Sequence, residues 1–360
     1  IRMMNMAKKI GFISLGCPKN QVDSELMLKK LADAGYEIID TPIGADAVII
    51  NTCGFIEAAK QESIDNIFEM AGYKEDGDVG KIIVVGCMAE RYREEILKEM
   101  PEVDAVAGIG ANGDIVSFVD SVFEGKENML FPEKEKLPLC GERLLTTPSY
   151  RAYLKIADGC SNCCTYCAIP KIRGPQRSRP IESIVEEAKR LASDGVKELT
   201  VIAQDTTRYG DDIYGEPKLD ELLKQLDVID GIEWIRLLYC YPDRLTDSVL
   251  ETMRDSKHVL HYIDLPLQHA NGRILKAMNR RGDSASLLAL IGKIRDYMPD
   301  CVIRTTFMTG FPGEDDEAFN ELSEFVNAAR FDRLGCFAFS PEEGTAAAEM
   351  PERPEKEVAE

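Results

Sequence analysis

No apolar run in this 360-residue chain reaches the roughly 18 residues that a membrane-spanning helix needs, so no membrane association is expected. The first residues, Ile1 to Lys9, lack the apolar core of a secretion signal, which points to a reducing, cytoplasmic setting. Positive charge is scarce as well. The chain carries 43 Lys and Arg against 63 Asp and Glu, a net charge of −20. Residues 1–140 hold 15 basic and 25 acidic side chains, so neither half is basic. Phosphate backbones are held by Lys and Arg, and nucleic acid is therefore not expected as the direct substrate. Acidity suits a basic protein partner or plain solubility. Short-period repeats, low-complexity tracts and heptad runs are also missing, which sets aside solenoids and coiled coils.

What remains is a chain of ordinary globular hydrophobicity, 44%, long enough for two or three domains. Up to about residue 125, short apolar strands (IGFIS, DAVIINT, KIIVVG) alternate with helical patterns over Val22–Ala34, Ile56–Met70 and Ala89–Met100. That alternation predicts a doubly wound parallel sheet covered on both faces, with Gly35 ending the first helix. Residues 126–150 are charged, contain proline and lack periodicity, and read as a linker or edge structure. From 151 to 350 a second alternation predicts strands at 152–156, 198–203, 234–239, 261–265, 301–308 and 333–339. Helices fall between them, among them Ile181–Ser193 and Ala285–Tyr297. Six such units predict a partial (β/α)6 barrel, and the fold class is α/β throughout.

Eleven cysteines in a reducing setting point to metal or catalytic chemistry rather than disulfides. Cys160, Cys164 and Cys167 follow the first barrel strand with the spacing Cys-x3-Cys-x2-Cys. Three thiolates can hold three corners of a four-iron cluster and leave one iron open for S-adenosylmethionine (SAM). The same segment also reads as Cys-x2-Cys-Cys-x2-Cys through Cys163, a zinc-like pattern. Zinc pairs are normally separated by a longer loop, however, and adjacent Cys163 and Cys164 point apart, which makes Cys163 a bystander. Tyr166, between two of these cysteines, either packs, shields the cluster or stacks on adenine. Lys171, Arg173, Arg177 and Arg179 form a local basic run, either a solvated loop or a site for the SAM carboxylate or an acidic substrate group.

Cys17, Cys53 and Cys87 each close an apolar strand. Parallel strands bring such residues to one sheet edge, where open α/β sheets bind ligands, so these three predict a second cluster site. Cys140, Cys240, Cys301 and Cys336 share no such context and read as core or surface thiols.

The segments SLGCPKNQVDSE, VIINTCGFIEAAKQES, VVGCMAERY, GCSNCCTYCAIPKIRGPQRSR and TTFMTGFPGE together resemble the radical SAM methylthiotransferase family over nearly the whole chain. Pro18-Lys19-Asn20 after Cys17, Gly54-Phe55-Ile56 after Cys53, DLPLQHAN at 264–271 and SPEEGT at 340–345 resemble its ribosomal-protein branch; the transfer-RNA branch usually has Gln-Met-Asn after the first cysteine. The resemblance implies two 4Fe-4S clusters and SAM as cofactors. Cys17, Cys53 and Cys87 would hold an auxiliary cluster that binds or supplies sulfur. A methylthio group would be placed on the β-carbon of an aspartate in small-subunit ribosomal protein twelve, a basic substrate, with a reducing electron donor protein and a sulfur source as further partners. It also implies SAM contacts at Gln204, Asp205, Gly310 and Glu314, with Tyr166 and Arg173 as further candidates for that pocket. Gln268 and His269 either touch substrate or satisfy the polar core. The family usually ends in a small β-barrel, and residues 351–360 read as the start of such a domain. Three rivals stand beside this reading: a transfer-RNA methylthiotransferase with the same clusters, a one-cluster radical SAM enzyme, and a non-catalytic metal scaffold.

Overall fold

Runs such as Ala47–Thr52 and Ile82–Gly86 are rich in β-branched residues with no polar alternation, the mark of strands covered on both faces. The computed structural model describes residues 7–351. The expected domain start at 351–360 lies, past Pro351, outside the described residues. The chain forms two units, one of residues 1–146 with 169–174, the other of 147–168 with 175–360.

The first unit runs β1 (Lys9–Ser14), α1 (Pro18–Asp33), β2 (Glu37–Ile39), β3 (Ala47–Thr52), α2 (Glu57–Glu75), β4 (Ile82–Gly86), α3 (Cys87–Tyr92), α4 (Glu94–Glu99), β5 (Ala105–Ala107), α5 (Ile115–Phe123) and β6 (Met129–Leu130), and is completed by α6 (Ile169–Arg173). Its strands are all parallel in the order β2-β1-β3-β4-β5-β6. Alternate residues serve opposite faces. Val48, Ile50, Ile82 and Val84 pack with Ile67, Met70, Met88 and Ile96 of α2, α3 and α4. Ile49, Ile83 and Val85 pack with Met27 and Leu31 of α1 and Phe118 and Val119 of α5. Each such fully buried aliphatic side chain contributes about 1.5–3 kcal/mol relative to exposure. The doubly wound sheet is therefore as expected.

Two helices differ from the sequence reading. Helix α1 starts at Pro18, four residues before the expected Val22, because proline fits the first helical position and Cys17 takes the N-cap. It ends as foreseen: Gly35 adopts φ +93°, its N–H donates to Ala32 O, and the Tyr36 N–H donates to Leu31 O. The single helix expected over 89–100 is two, broken at Arg93, whose φ is +44°. The stretch read as a linker or edge structure, 126–150, supplies the edge strand β6, and the first unit extends as far as Thr146. There Arg143 Nη1 and the Thr146 N–H both reach the buried carboxylate of Glu25, at 3.1 and 2.9 Å.

The second unit runs β7 (Arg151–Lys155), β8 (Ala157–Asp158), β9 (Arg177–Ser178), α7 (Ile181–Ser193), β10 (Glu198–Ile202), α8 (Asp211–Tyr214), α9 (Leu219–Asp227), β11 (Trp234–Leu237), α10 (Asp247–Asp255), β12 (Val259–Asp264), α11 (Gly272–Ala277), α12 (Ser284–Tyr297), β13 (Val302–Thr309), α13 (Asp316–Ala329) and β14 (Arg333–Ala338). Six parallel strands lie in sequential order, β7-β10-β11-β12-β13-β14. This is the open (β/α)6 barrel read from the sequence. β8 and β9, two residues each, add a small antiparallel ladder too short to leave a periodic signal.

Candidate metal centres

In a parallel sheet ordered 2-1-3-4, the strand order reverses between β1 and β3, and the crevice outside their carboxyl ends is the favoured ligand site. Cys17 follows β1 through a short loop, Cys53 comes directly after β3, and Cys87 is the first residue of α3 after β4. Two glycines allow the approach. A Cβ on Gly16, whose φ is +86°, would lie 2.9 Å from Cys53 Sγ; one on Gly54 would lie 2.7 Å from the Met88 Cα. The Cys17 and Cys53 thiols lie near enough to perturb the ionisation of Cys87. Asn20 stitches the strand ends together, its amide donating to Leu15 O at 2.7 Å and to Asn51 O and Thr52 O at 3.3 Å. Ser63 Oγ accepts the Cys53 N–H at 3.1 Å. Burial raises the Cys53 thiol and pushes Cys87 up to about 12, with the Arg173 guanidinium opposing both. Such thiols stay protonated at neutral pH until metal displaces the proton.

Arg173 of α6 is the unexpected member of this site. Its Nη2 lies 2.9 Å from Asp23 Oδ2, 3.4 Å from Asn20 Oδ1 and 3.5 Å from Cys87 Sγ. The basic run is not one patch: Arg179 is buried elsewhere, its Nη1 donating to Lys155 O at 2.8 Å and lying 2.6 Å from Glu187 Oε2. Arg173 thus stands with the first cysteine set.

The second site is local. Cys160 follows β8, where the fully buried Asp158 accepts from the Gly159 N–H at 2.8 Å and from Lys155 Nζ at 3.2 Å. The loop is tied down at several points. Asn162 Nδ2 donates to Asp205 Oδ2 at 2.7 Å, and Arg208 Nη1 donates to Asn162 Oδ1 at 3.0 Å. Asn279 Nδ2 donates to Cys163 O at 3.0 Å, and Thr165 bonds Ala277 O and Met278 O. Cys163 is exposed with φ +53°, while Cys160, Cys164 and Cys167 are half-buried. Burial pushes Cys160 up to about 11. Behind Cys164 lies a buried cation absent from the sequence reading. Arg280 sits 4.2 Å over the Tyr241 ring, donates to Pro266 O at 2.7 Å, and brings Nη1 to 3.5 Å from Tyr166 Oη and 4.0 Å from Cys164 Sγ. Arg280 lies in MNRRGD, and nothing in that segment marks it.

Four of the proposed SAM contacts, Gln204, Asp205, Gly310 and Glu314, lie in the segments that follow β10 and β13, in different circumstances. Asp205 is committed to the loop: Oδ2 holds Asn162, and Oδ1 accepts from the Thr207 N–H and Oγ1 at 3.0 and 2.5 Å. Gln204 Nε2 reaches Asp158 at 3.5 Å, while its buried Oε1 has no protein partner. Gly310 directly follows β13, and Glu314 Oε2 accepts from the Phe311 N–H at 3.2 Å; burial raises the Glu314 carboxyl. Gln268 extends the β13 ladder through its backbone. His269 is fully buried, its Nδ1 accepting from the Asn271 N–H at 2.9 Å and its Nε2 lying 3.9 Å from Glu314 Oε2.

Among the described residues, no three His, Cys, Asp or Glu side chains converge as ligands of a single ion do. A four-iron cluster takes each thiolate on a separate iron, so that convergence is not its requirement. The fit rests on the donors: two sets of three free cysteines, one at three parallel strand ends and one in the loop after β8, each with a buried arginine beside one sulfur.

Residues 154–326 match the radical SAM superfamily, and residues 9–108 match a family described only as uncharacterised protein family UPF0004. Ribosomal protein uS12 methylthiotransferase RimO from Desulforamulus reducens is 53% identical over 348 residues, covering 95% of this chain and 78% of the relative. The proteins of the same name from Pelotomaculum thermopropionicum and Geobacter sulfurreducens are 51% and 46% identical, covering 98% and 99% of this chain and 80% of each relative. In fold, the chain is similar to the radical SAM methyltransferase TsrM from Kitasatospora setae solved with cobalamin and a [4Fe-4S] cluster, with a TM-score of 0.70 at 12% identity over 95% of this chain and 77% of that one. On sequence similarity across almost its full length, the chain belongs to the ribosomal protein uS12 methylthiotransferase family.

Proposed function

We propose that this protein is a radical SAM methylthiotransferase acting on ribosomal protein uS12, with the β-carbon of an aspartate as the site of modification. The observation that carries the reading is the first thiol site: Cys17, Cys53 and Cys87 stand at the ends of three neighbouring strands of a sheet that a simple one-cluster enzyme does not need. Cys160, Cys164 and Cys167 hold one 4Fe-4S cluster and Cys17, Cys53 and Cys87 the other, each leaving one iron without a protein ligand. When bound, the clusters and SAM supply the one-electron chemistry and the methylthio sulfur, drawing on an electron donor protein and a sulfur source.

The chain's own residues place and shield these groups. Asn162, Asp205 and Asn279 fix the cysteine loop, and Arg280 with Tyr166 and Tyr241 closes the space behind Cys164. Gln204 Oε1 and the Gly310–Glu314 turn offer polar groups to SAM at the strand ends, where such barrels place their chemistry. The net charge of −20 favours a basic protein over a polyanion, in a cytoplasmic setting.

The test is incubation of the anaerobically reconstituted protein with SAM and reductant, with uS12 in one arm and transfer RNA in the other, read by mass spectrometry. A methylthio increment on the uS12 aspartate is expected. An increment on transfer RNA alone, or on neither, overturns the assignment.

A further inference from the structure

Helix α1 buries Lys19, Asn20, Asp23, Ser24 and Glu25, an unusual load for one helix face. Asp23 and Arg173 are each 1% exposed, and they meet across 150 residues of sequence. Taking two charges out of water is costly, and a buried pair is by itself a poor stabiliser, so its position is the informative feature. The same Nη2 that meets Asp23 also reaches Cys87 Sγ and Asn20 Oδ1. Asn20 in turn fixes the ends of β1 and β3, which carry Cys17 and Cys53.

We propose that the Arg173–Asp23 pair is a positioning and charge-setting device of the first thiol site, which orients Cys87 and sets the reduction potential of the cluster held there. The proposal rests on Cys17, Cys53 and Cys87 holding that cluster. Three thiolates make the assembly anionic, and one-electron reduction adds a further negative charge. A buried cation donating to a ligating sulfur stabilises the reduced state and raises the potential, whereas the neighbouring carboxylate lowers it. Neutralising the two residues therefore shifts the potential in opposite directions, which a purely structural role does not produce.

The experiment uses the full chain with Cys160, Cys164 and Cys167 replaced by serine, so that iron is held only at the first site. Iron content after anaerobic reconstitution and an electron paramagnetic resonance titration are measured for this parent, R173M, R173K and D23N. R173M is expected to lower the reduced-to-oxidised ratio at fixed potential by tenfold or more, about 59 mV for a one-electron couple. D23N is expected to raise it, and R173K to stay near the parent. Unchanged potentials, or shifts of the same sign in R173M and D23N, overturn the proposal. If R173M holds no iron, the sign of the D23N shift decides. If both lose iron while R173K keeps it, the charge requirement stands; loss in all three marks a folding element and overturns it. A parent without iron sinks the cluster assignment itself, a distinct result.

Discussion

The two thiol sites reach a similar donor set by opposite routes. In the first, three cysteines come from three strand ends spread over 70 residues, and backbone packed against backbone sets their approach. In the second, three cysteines lie within eight residues, and side chains from β10, α11 and their flanks tie the loop down. The charges differ too. Arg173 beside Cys87 is matched by Asp23, whereas Arg280 beside Cys164 faces the phenols of Tyr166 and Tyr241. A sheet-built site depends on the register of the whole unit, while a loop-built site depends on a few hydrogen bonds. The first should fail abruptly and the second by degrees.

The strongest way to break the comparison is to remove each set in turn. Replacing Cys17, Cys53 and Cys87 by alanine should reduce iron from about eight to about four per chain, abolish methylthio transfer and leave SAM cleavage. Replacing Cys160, Cys164 and Cys167 should remove a similar amount of iron and abolish SAM cleavage as well. Full iron in either triple variant would contradict two separate sites. Next in size is Gly54→Ala. Its Cβ meets the Met88 backbone, which cannot swing aside, so a destabilisation of about 1–3 kcal/mol and loss of iron at the first site only are expected, measured by denaturant unfolding and iron analysis.

Acid stability separates the units by a different measurement. All three histidines lie between residues 258 and 269, in the second unit. Burial lowers His269 from 6.5 to about 4. The unfolded chain therefore takes up its proton first as pH falls. Stability present above about pH 6.5 is lost towards about pH 4, by up to about 3 kcal/mol. His269→Gln should flatten this slope in pH-dependent melting, and an unaltered slope would remove His269 as its cause. Asn162→Ala should cost about 1–2 kcal/mol by leaving the buried Asp205 oxygen short of a donor, with graded loss of iron at the second site alone. Cys163→Ser should leave iron content at both sites unchanged, because that thiol is exposed on a left-handed turn.

The strands, the barrel order and α7 were legible because apolar runs and helical periodicity are local signals, and the Cys160 loop because its spacing is local too. The strand-end logic carried Cys17, Cys53 and Cys87 as far as a shared sheet edge. The basic run reads as one patch in the sequence, whereas Arg173 and Arg179 enter separate buried pairs with Asp23 and Glu187. The side-chain partners of Asp205, Asn162 and Thr207, carry no local signal that marks the pairing. Arg280 was invisible because its partners come from 114 and 39 residues away, separations that no local pattern encodes. The break at Arg93 needs a positive φ at a residue whose chemistry does not ask for one.

The six residues from Ile169 to Gly174 have a consequence for inheritance and synthesis. They belong to the first unit, although 22 residues assigned to the second precede them in the chain. No single cut in the gene yields the first unit complete with Arg173 and free of residues from the second. A graft of that unit onto another protein must carry this short segment along with it, and recombination at a crossover between residues 146 and 169 separates Asp23 from its arginine. On the translating ribosome, too, the first unit has to wait for the Cys160 loop to emerge before its own last helix arrives.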